Sequence, residues 1–266
     1  MNIEHIVSTM NRDEYTFLTH MQMKTPCLVV NQNRAKRYEE LSLPNGVAAR
    51  VVSTPETGLS RSRNMLLKNA LGDICIITDD DVEYEEEYQS IIASAYERHP
   101  DADIIVFQFT HEKGKNTRCR YKKDVQMHIW NISKAASVEI TFKRESVLQA
   151  GISFDVLLGL GAEFPSGEEN AFLADALRGG LKIYHVPATI CFAVEAHSVR
   201  GSEEIKGYLE TKGASFYRIY QGWFLLFALA FIVLKKRSLL GGISVIKAYS
   251  HMRAGRKAYK LARRGA

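Results

Sequence analysis

What this chain has little of narrows its chemistry first. Its 266 residues hold only four cysteines, Cys27, Cys75, Cys119 and Cys191. They lie far apart, with no CxxC pair and no zinc-ligand spacing, so they read as isolated thiols in a reducing compartment. No GxxxxGK[ST] loop is present, which argues against a P-loop nucleotidase. GxSxG is missing too, and no residue set resembles a Ser-His-Asp constellation, so nucleophilic serine chemistry is not expected. The opening MNIEHIVSTMNRDE has neither a basic start nor an apolar stretch long enough for export, which places the catalytic part in the cytoplasm. The apolar run WFLLFALAFIVL, Trp223 to Leu234, has twelve residues. As a helix it extends about 18 Å at ~1.5 Å per residue, well short of the ~30 Å bilayer core, so it is expected not to cross alone. No internal repeat or low-complexity segment is visible.

Hydrophobic residues make up 46% and charged residues 24%, enough for an ordinary core in one full-sized α/β domain or two small ones. The net charge of +5 hides a strong asymmetry. From Lys235 to Ala266 there are ten Lys or Arg and no Asp or Glu, which leaves the preceding 234 residues at −5. An acidic body with a basic tail points to a local anionic partner such as lipid headgroups or nucleic acid.

Strand and helix signals alternate along the body. IEHIVSTM reads as a strand ending in a polar loop, Asp13 to Met23 as a helix, CLVVNQN as a buried strand ending at Asn31, and ARVVS as a third strand after the Pro44-Asn45-Gly46 turn. LLKNALG is a helix tail closed at Gly72, and ICIITDDD is a strand running into three aspartates. A helix is expected over about Glu85–Arg98, with Tyr84, Tyr88, Ile91, Ile92 and Ala95 inward, followed by the strand IIVFQF. VEITF reads as a strand, possible in antiparallel sense, and Arg118 to Lys123 as an exposed basic stretch. Ser166 is placed to cap a helix with Glu169 three residues on. That helix buries Phe172, Leu173, Ala176 and Leu177 and ends at Gly179-Gly180, before the strand LKIYHVP. The pattern argues for a mostly parallel sheet covered on both faces, with ligands beyond the carboxyl ends of its strands, where Asn31, Ser53 and the aspartates fall. The tail reads differently: Ile243, Ile246, Tyr249 and Met252 interleave with Lys247, Arg253, Arg256, Lys257 and Lys260 as a basic amphipathic helix suited to lie on an anionic membrane.

Asp79, Asp80 and Asp81 carry the clearest chemistry. Adjacent carboxylates disfavour one another's ionisation, and a hard divalent cation such as Mn2+ or Mg2+ relieves this. If the run is locally extended, Asp79 and Asp81 share a side and a metal, while Asp80 turns towards a ribose or a backbone turn. The plainer reading is an acidic turn ahead of the next helix. Upstream, in ETGLSRSRNMLLKNALGD, Gly58 permits a tight loop, one or both of Arg61 and Arg63 suit phosphate groups, with a solvated arginine pair as the plainer reading, and Asn64 holds the loop. His197 is a candidate third metal ligand, with Glu195 as its orienting partner; His185 reads as structural. Trp130 and Phe164 are candidate sugar-stacking aromatics, with packing the better expectation for both.

Two segments resemble the inverting glycosyltransferases of family 2, which have the GT-A fold and include builders of bacterial surface polysaccharides. GLSRSRNMLLKNALGDICIITDDDV is similar to that family's arginine-asparagine segment, helix and aspartate-x-aspartate strand end. PSGEENAFLADALRGGLKIYHVP is similar to its acidic-pair motif, helix, glycine, strand and proline. The resemblance covers about residues 1–200. It implies an α/β GT-A fold, a mostly parallel sheet flanked by helices with a C-terminal helical membrane-associated extension. Residues 1–205 would be catalytic (donor half about 1–110, acceptor half about 111–205) and 206–266 the apolar and basic extension. It also implies a nucleotide-diphosphate sugar, UDP- or dTDP-linked, at a donor site of Ser8, Asn31, Arg61, Arg63, Asp79 and Asp80, with metal at Asp79, Asp81 and His197. Glu168 and Glu169 are the candidate bases, with Glu169 at the family's usual position. Two departures stand out: the second acid is Glu instead of Asp, and Asn31 occupies a position where many members have Asp, which leaves the donor base open.

The implied reaction is a single displacement with inversion on a saccharide acceptor, lipid-linked by the inference from location. The protein would sit peripherally on the cytoplasmic membrane face through residues 223–266. Rival readings are a metal-dependent nucleotidyltransferase, disfavoured because STMNRDE lacks the expected glycine-rich loop, and a non-catalytic protein binding an anionic surface or nucleic acid. The apolar run has no role in a nucleic-acid binder, so no nucleic acid is expected.

Overall fold

A computed structural model describes residues 1–111, 121–193, 202–235 and 243–265. The body is one mixed sheet of ten strands in the order β3-β4-β2-β1-β5-β9-β7-β10-β6, with β8 paired to β10. Its parallel half is β4 (Ala48–Thr54), β2 (Cys27–Gln32), β1 (Ile3–Met10) and β5 (Ile74–Asp79). These strands read as continuous β-branched and apolar runs because both faces are covered, and β2 is buried at every position. β9 (Ile140–Lys143) inserts antiparallel between β5 and β7 (Ile104–Thr110), and β10 (Ile183–Ala193) runs parallel to β7. β6 (Val82–Tyr84) and β8 (Val125–Gln126) both pair antiparallel with β10. The architecture is the expected helix-flanked GT-A-like sheet.

Local expectations are adjusted in four places. The strand LKIYHVP, expected to close at Pro187, runs on through it as β10 to Ala193. The helix expected over Asp13–Met23 shrinks to α1, Phe17–His20. The polar stretch before Pro44 contains an edge strand, β3 (Arg37–Ser42), paired antiparallel with β4. It has no buried position, and Arg37, Glu39 and Glu40 leave no apolar alternation to read; charge of this kind protects an open sheet edge. The helix expected from Glu85 begins at Tyr88 (α3, Tyr88–Arg98), because Tyr84 belongs to β6.

α2 (Leu59–Asn69) covers one face of the sheet, burying Leu66 and Leu67, and α3 covers the other with Tyr88, Ile92 and Ala95. Under α3, the fully buried His5 ring contacts Thr78 Oγ1 at 3.3 Å and Tyr88 Oη at 3.0 Å, and Thr78 meets Tyr84 Oη at 2.7 Å. Burial alone lowers the His5 pKa to about 3, so the imidazole is neutral and acts as a polar rivet behind β5. Cys27, Cys75 and Cys191 are free and buried; Cys119 lies outside the described residues.

A short helix, α4 (Arg144–Gln149), leads to the loop before α5 (Glu168–Arg178). Three C-terminal helices follow: α6 (Ser202–Tyr220), α7 (Phe224–Lys235) and α8 (Val245–Gly265). The cluster formed by Phe142, Phe154 and Phe172 extends through Phe164 to Ala214, Ile219, Tyr220 and Tyr259, so these helices share a core with the sheet. A second cluster, Leu209, Phe224, Ala228, Ile232, Ala248 and Met252, joins the three helices to one another. Residues Glu204–Lys235 together make 32 helical residues, long and apolar enough to cross a membrane by length and composition. The twelve-residue run is therefore not an isolated helix. Its continuation into α6 buries Leu209, Ala214, Ser215 and Ile219 against the protein, which leaves α7 as the apolar face open to a membrane.

Candidate active site

The carboxyl ends of the parallel strands line up residue by residue. Ser8 lies opposite Asp79, Thr9 opposite Asn31, and Asn31 opposite Ser53. Three of the expected donor residues, Ser8, Asn31 and Asp79, thus meet at one edge, and α2 adds Arg63 from above. Ser62 Oγ donates to Ser8 Oγ at 3.0 Å, fixing the first turn of α2 over β1.

Arg63 is the centre of the site. Its side chain is 1% exposed, Nη2 donates to Asp79 Oδ1 at 2.9 Å, and Nη1 donates to Glu168 Oε1 at 2.9 Å. Its Cζ lies 5.6 Å from the centre of the Phe154 ring. Burial works against its charge, but Asp79, Glu168 and Glu169 outweigh that cost and raise its pKa. One planar guanidinium thereby ties the end of the donor strand to the start of α5, about a hundred residues later, a double contact that a lysine ammonium reproduces poorly.

Asp79 also accepts from Ser137 Oγ at 2.9 Å. Asp80 accepts from Thr9 Oγ1 and, at 2.9 Å, from Arg12 Nη2. Asp80 and Asp81 form the turn into β6, so the run is not extended. Asp81 is exposed, and its pKa is raised by partial desolvation first and by Asp79 second. It has no cationic partner among the described residues, whereas its two neighbours are matched by arginines. Carboxylate oxygens are the hard ligands that Mg2+ or Mn2+ prefers, but the turn at Asp80 and Asp81 removes the extended alternation expected to set Asp79 and Asp81 on one side. Among the described residues no group of three or more His, Cys, Asp and Glu side chains is arranged to hold a metal. His197 and Glu195 lie outside those residues.

Asn31 is fully buried, and its amide is occupied: Oδ1 accepts from the Arg12 backbone N–H at 3.2 Å, while Nδ2 donates to the Arg12 carbonyl at 2.7 Å and to Tyr15 Oη at 3.1 Å. It shapes the loop after β1. Arg61 is exposed beside Gly58, whose N–H donates to Gln32 Oε1 at 2.6 Å. Asn64 holds the Phe154 backbone on both sides, donating to its carbonyl at 2.8 Å and accepting its N–H at 2.7 Å.

The cap of α5 is Gly167 instead of Ser166, with φ 97° and no side-chain cap. The reason is steric: a Cβ at Gly167 would lie 2.6 Å from Ser215 Cβ, because α6 packs directly on this turn. Glu168 is buried and held by Arg63. Glu169 is half-buried, accepts from the Asn170 side-chain amide, and has no arginine or lysine in salt-bridge contact among the described residues. Its carboxyl is pushed far above the usual carboxylate range, by burial first and by the Glu168 charge second; Arg63 and Lys212 offset only part of this. Lys212 also lines a cleft of about 690 Å³ between the Glu163–Ser166 loop and α6, with Phe164, Glu204, Tyr208 and Glu210. Phe164 is buried with its ring 5.9 Å from Tyr259, a packing role, whereas Trp130 is exposed beside His128. His185 is fully buried in β10 with its ring edge-on to Tyr121.

Sequence reading missed Arg12, Thr9 and Ser137, which hold the aspartates, and Asp155. Asp155 accepts from Arg218 Nε at 2.7 Å and from Tyr259 Oη, while Arg218 also binds Asp175 of α5. Only Arg12 had a signal, a lone cation in the loop after the first strand.

Comparison with known proteins agrees with this geometry. The family described as Glycosyl transferase family 2 matches residues 32–158. A search of curated proteins finds no match. Among solved structures, S. aureus TarS 1-349 in complex with UDP-GlcNAc has 15% identity and a TM-score of 0.58, with 100% of this chain and 92% of that one covered. Its complex with UDP gives 15% and 0.57 over the same coverage. Against a further TarS crystal structure the values are 16% and 0.56, and this chain spans only 40% of that one. The family 2 model matches just under half of the chain, from the end of β2 to beyond α4, and with this sheet beneath it the protein has a GT2-family glycosyltransferase fold.

Proposed function

We propose that the protein transfers a sugar from a nucleotide-diphosphate donor to a hydroxyl of a saccharide acceptor, lipid-linked, by single displacement with inversion. The observation that carries the reading is Arg63, which joins Asp79 at the donor edge to Glu168 beside a carboxyl, Glu169, that has a raised pKa and no cation in salt-bridge contact among the described residues. TarS, which shares the fold, has been crystallised with UDP and with UDP-GlcNAc, which favours a uridine-linked donor here.

In this reading Ser8, Asn31, Arg61, Arg63, Asp79 and Asp80 form the donor edge, with Asn31 acting through the loop it shapes. Asp79 and Asp81, with His197, would hold Mn2+ or Mg2+, and the ion would supply positive charge to the departing diphosphate. Glu169 is the base and Glu168 keeps Arg63 in place. The acceptor oxygen attacks the sugar carbon as the bond to the diphosphate oxygen breaks, and the hydroxyl proton passes to the Glu169 carboxylate. A raised pKa suits that step, because it makes the carboxylate a better proton acceptor near neutral pH. The cleft along Phe164, Tyr208 and Lys212 receives the acceptor. The catalytic unit ends near residue 205, and residues 206–266 seat it peripherally on the cytoplasmic membrane face.

The test is a screen of nucleotide sugars for Mn2+-dependent hydrolysis and binding, with Asp81→Ala alongside. The reading expects turnover of a UDP- or dTDP-sugar, and loss of both transfer and Mn2+-dependent donor binding in the variant. Full activity with unchanged donor affinity in Asp81→Ala would remove the metal from the mechanism. No binding of any nucleotide sugar would remove the reaction.

A further inference from the structure

The break between α6 and α7 faces the last turns of α8 across a cleft of about 260 Å³. Arg256, Lys260 and Arg263 line it from α8, and Tyr217, Gln221 and Gly222 from the break. Arg218 also reaches the cleft, but its guanidinium is spent on Asp155 and Asp175. The three α8 cations have no carboxylate partner among the described residues. Two of them stand on aromatic faces instead: Arg256 Cζ is 5.1 Å from the Tyr217 ring centre and 5.0 Å from that of Phe224, and Lys260 Nζ is 4.9 Å from that of Tyr217. Aromatic support orients a cation without neutralising it, so the cleft concentrates positive charge around a space that admits a phosphate group.

Directly after the cleft the chain exposes apolar surface. Trp223 is 69% exposed and Leu226 59%, and Leu225, Leu229, Val233 and Leu234 continue the open face of α7. A tryptophan between an apolar helix face and a cationic hollow matches the boundary between acyl chains and headgroups.

We propose that this cleft binds the phosphate group of a membrane lipid whose chains lie along the exposed face of α7. The inference rests on the membrane-seated part of the function above and deepens it: beyond diffuse attraction of a basic tail, it assigns one headgroup site. Arg256 and Arg263 offer forked donors to phosphate oxygens and Lys260 a third cation.

The test is cosedimentation of the full chain with phosphatidylcholine vesicles containing either phosphatidic acid or oleate at equal surface charge. The expected result is a preference for the phosphate vesicles of about tenfold, the scale set by one to two cations at a membrane surface. R256Q/K260Q/R263Q abolishes the preference. K247Q/R253Q/R264Q, on surfaces outside the cleft, weakens binding to both vesicles alike and keeps the preference. Equal loss of preference in both triples, or no preference in the wild type, would overturn the site. So would displacement from phosphate vesicles by inorganic phosphate at ionic strengths where sodium chloride has no effect, since the cleft would then serve a free anion. Equal melting temperatures of the two triples separate binding from folding, and the single variant K260Q gives a milder version of the same comparison. Donor hydrolysis by the wild type without vesicles reports on the transfer reading alone, so the two can fail separately.

Discussion

The two ends of this molecule handle charge in opposite ways. At the edge around β5 two arginines are matched to acids: Arg63 to Asp79 and Glu168, Arg12 to Asp80. Along the last turns of α8, Arg256 and Lys260 stand on aromatic rings with no acid in salt-bridge contact among the described residues. A matched edge holds its own geometry, and beside it Asp81 and Glu169 have no salt-bridge partner among the described residues. The contrast separates a site organised for chemistry from a surface organised for attachment, and each half of it can be broken by substitution.

The largest effect is expected from Arg63→Met. It leaves the Glu168 carboxylate buried without a partner and Asp79 without its arginine, and removing one partner of a buried pair costs about 3–5 kcal/mol. Urea unfolding should show that loss together with absent transfer. Arg63→Lys should recover part of the stability and little of the activity, because one ammonium does not span both carboxylates. Retained activity in Arg63→Met would end the claim that matching organises the edge.

Glu169→Gln tests the unmatched carboxyl beside it. Turnover should fall about 10²–10⁴-fold, the usual range for a positioned base, with donor affinity intact. The wild-type rate should drop as pH falls through the neutral range, well above where an ordinary glutamate protonates, because burial and Glu168 raise the Glu169 pKa and the base works only when deprotonated. That limb should vanish in the variant. Wild-type turnover would move the role to Glu168.

At the other end, Gly255→Ala tests how the tail is fastened. A Cβ at Gly255 would lie 1.8 Å from the Glu210 carbonyl oxygen, and one at Gly213 1.9 Å from that of Met252, so α6 and α8 cross backbone to backbone. The helices must separate, at about 1–3 kcal/mol for overpacking. Protease resistance of α8 and vesicle binding should fall while donor binding stays. An unchanged α8 would mean that the crossing is looser than the geometry implies.

How much of this was legible in the sequence follows the same divide. The strands ending at Asn31 and Asp79, the antiparallel VEITF strand and the helix after PSGEE rest on local patterns, and the fold carries them. Arg63 and Glu168 were singled out separately, but their 2.9 Å contact joins segments more than a hundred residues apart and has no local signature. Ser137 looked like any serine, although it holds Asp79. The Gly167 cap could not be told from Ser166, because the choice is made by Ser215 pressing on the turn from α6. The tail read as a basic amphipathic helix because composition shows charge. Which cations would find no acid depends on where Asp155 and Asp175 are spent.

Asp155 itself gives the smallest and most diagnostic effect. It joins the two halves, accepting from Arg218 of α6 and from the fully buried Tyr259 of α8. Burial pushes its carboxyl up, but Tyr259, Arg218 and the Leu157 N–H more than offset this and hold its pKa below the usual range. A depressed folded-state pKa contributes stability above the unfolded value, and that contribution is lost as pH falls through the depressed one. Tyr259→Phe removes one donor and keeps the ring, so it should cost about 1–2 kcal/mol near neutral pH, the scale of a hydrogen bond to a charged group. The difference from wild type should shrink below the depressed pKa, where Asp155 is protonated in both. If the difference persists undiminished in acid, Tyr259 fastens α8 through packing against Phe164 alone, and the charge network of the body stops short of the tail.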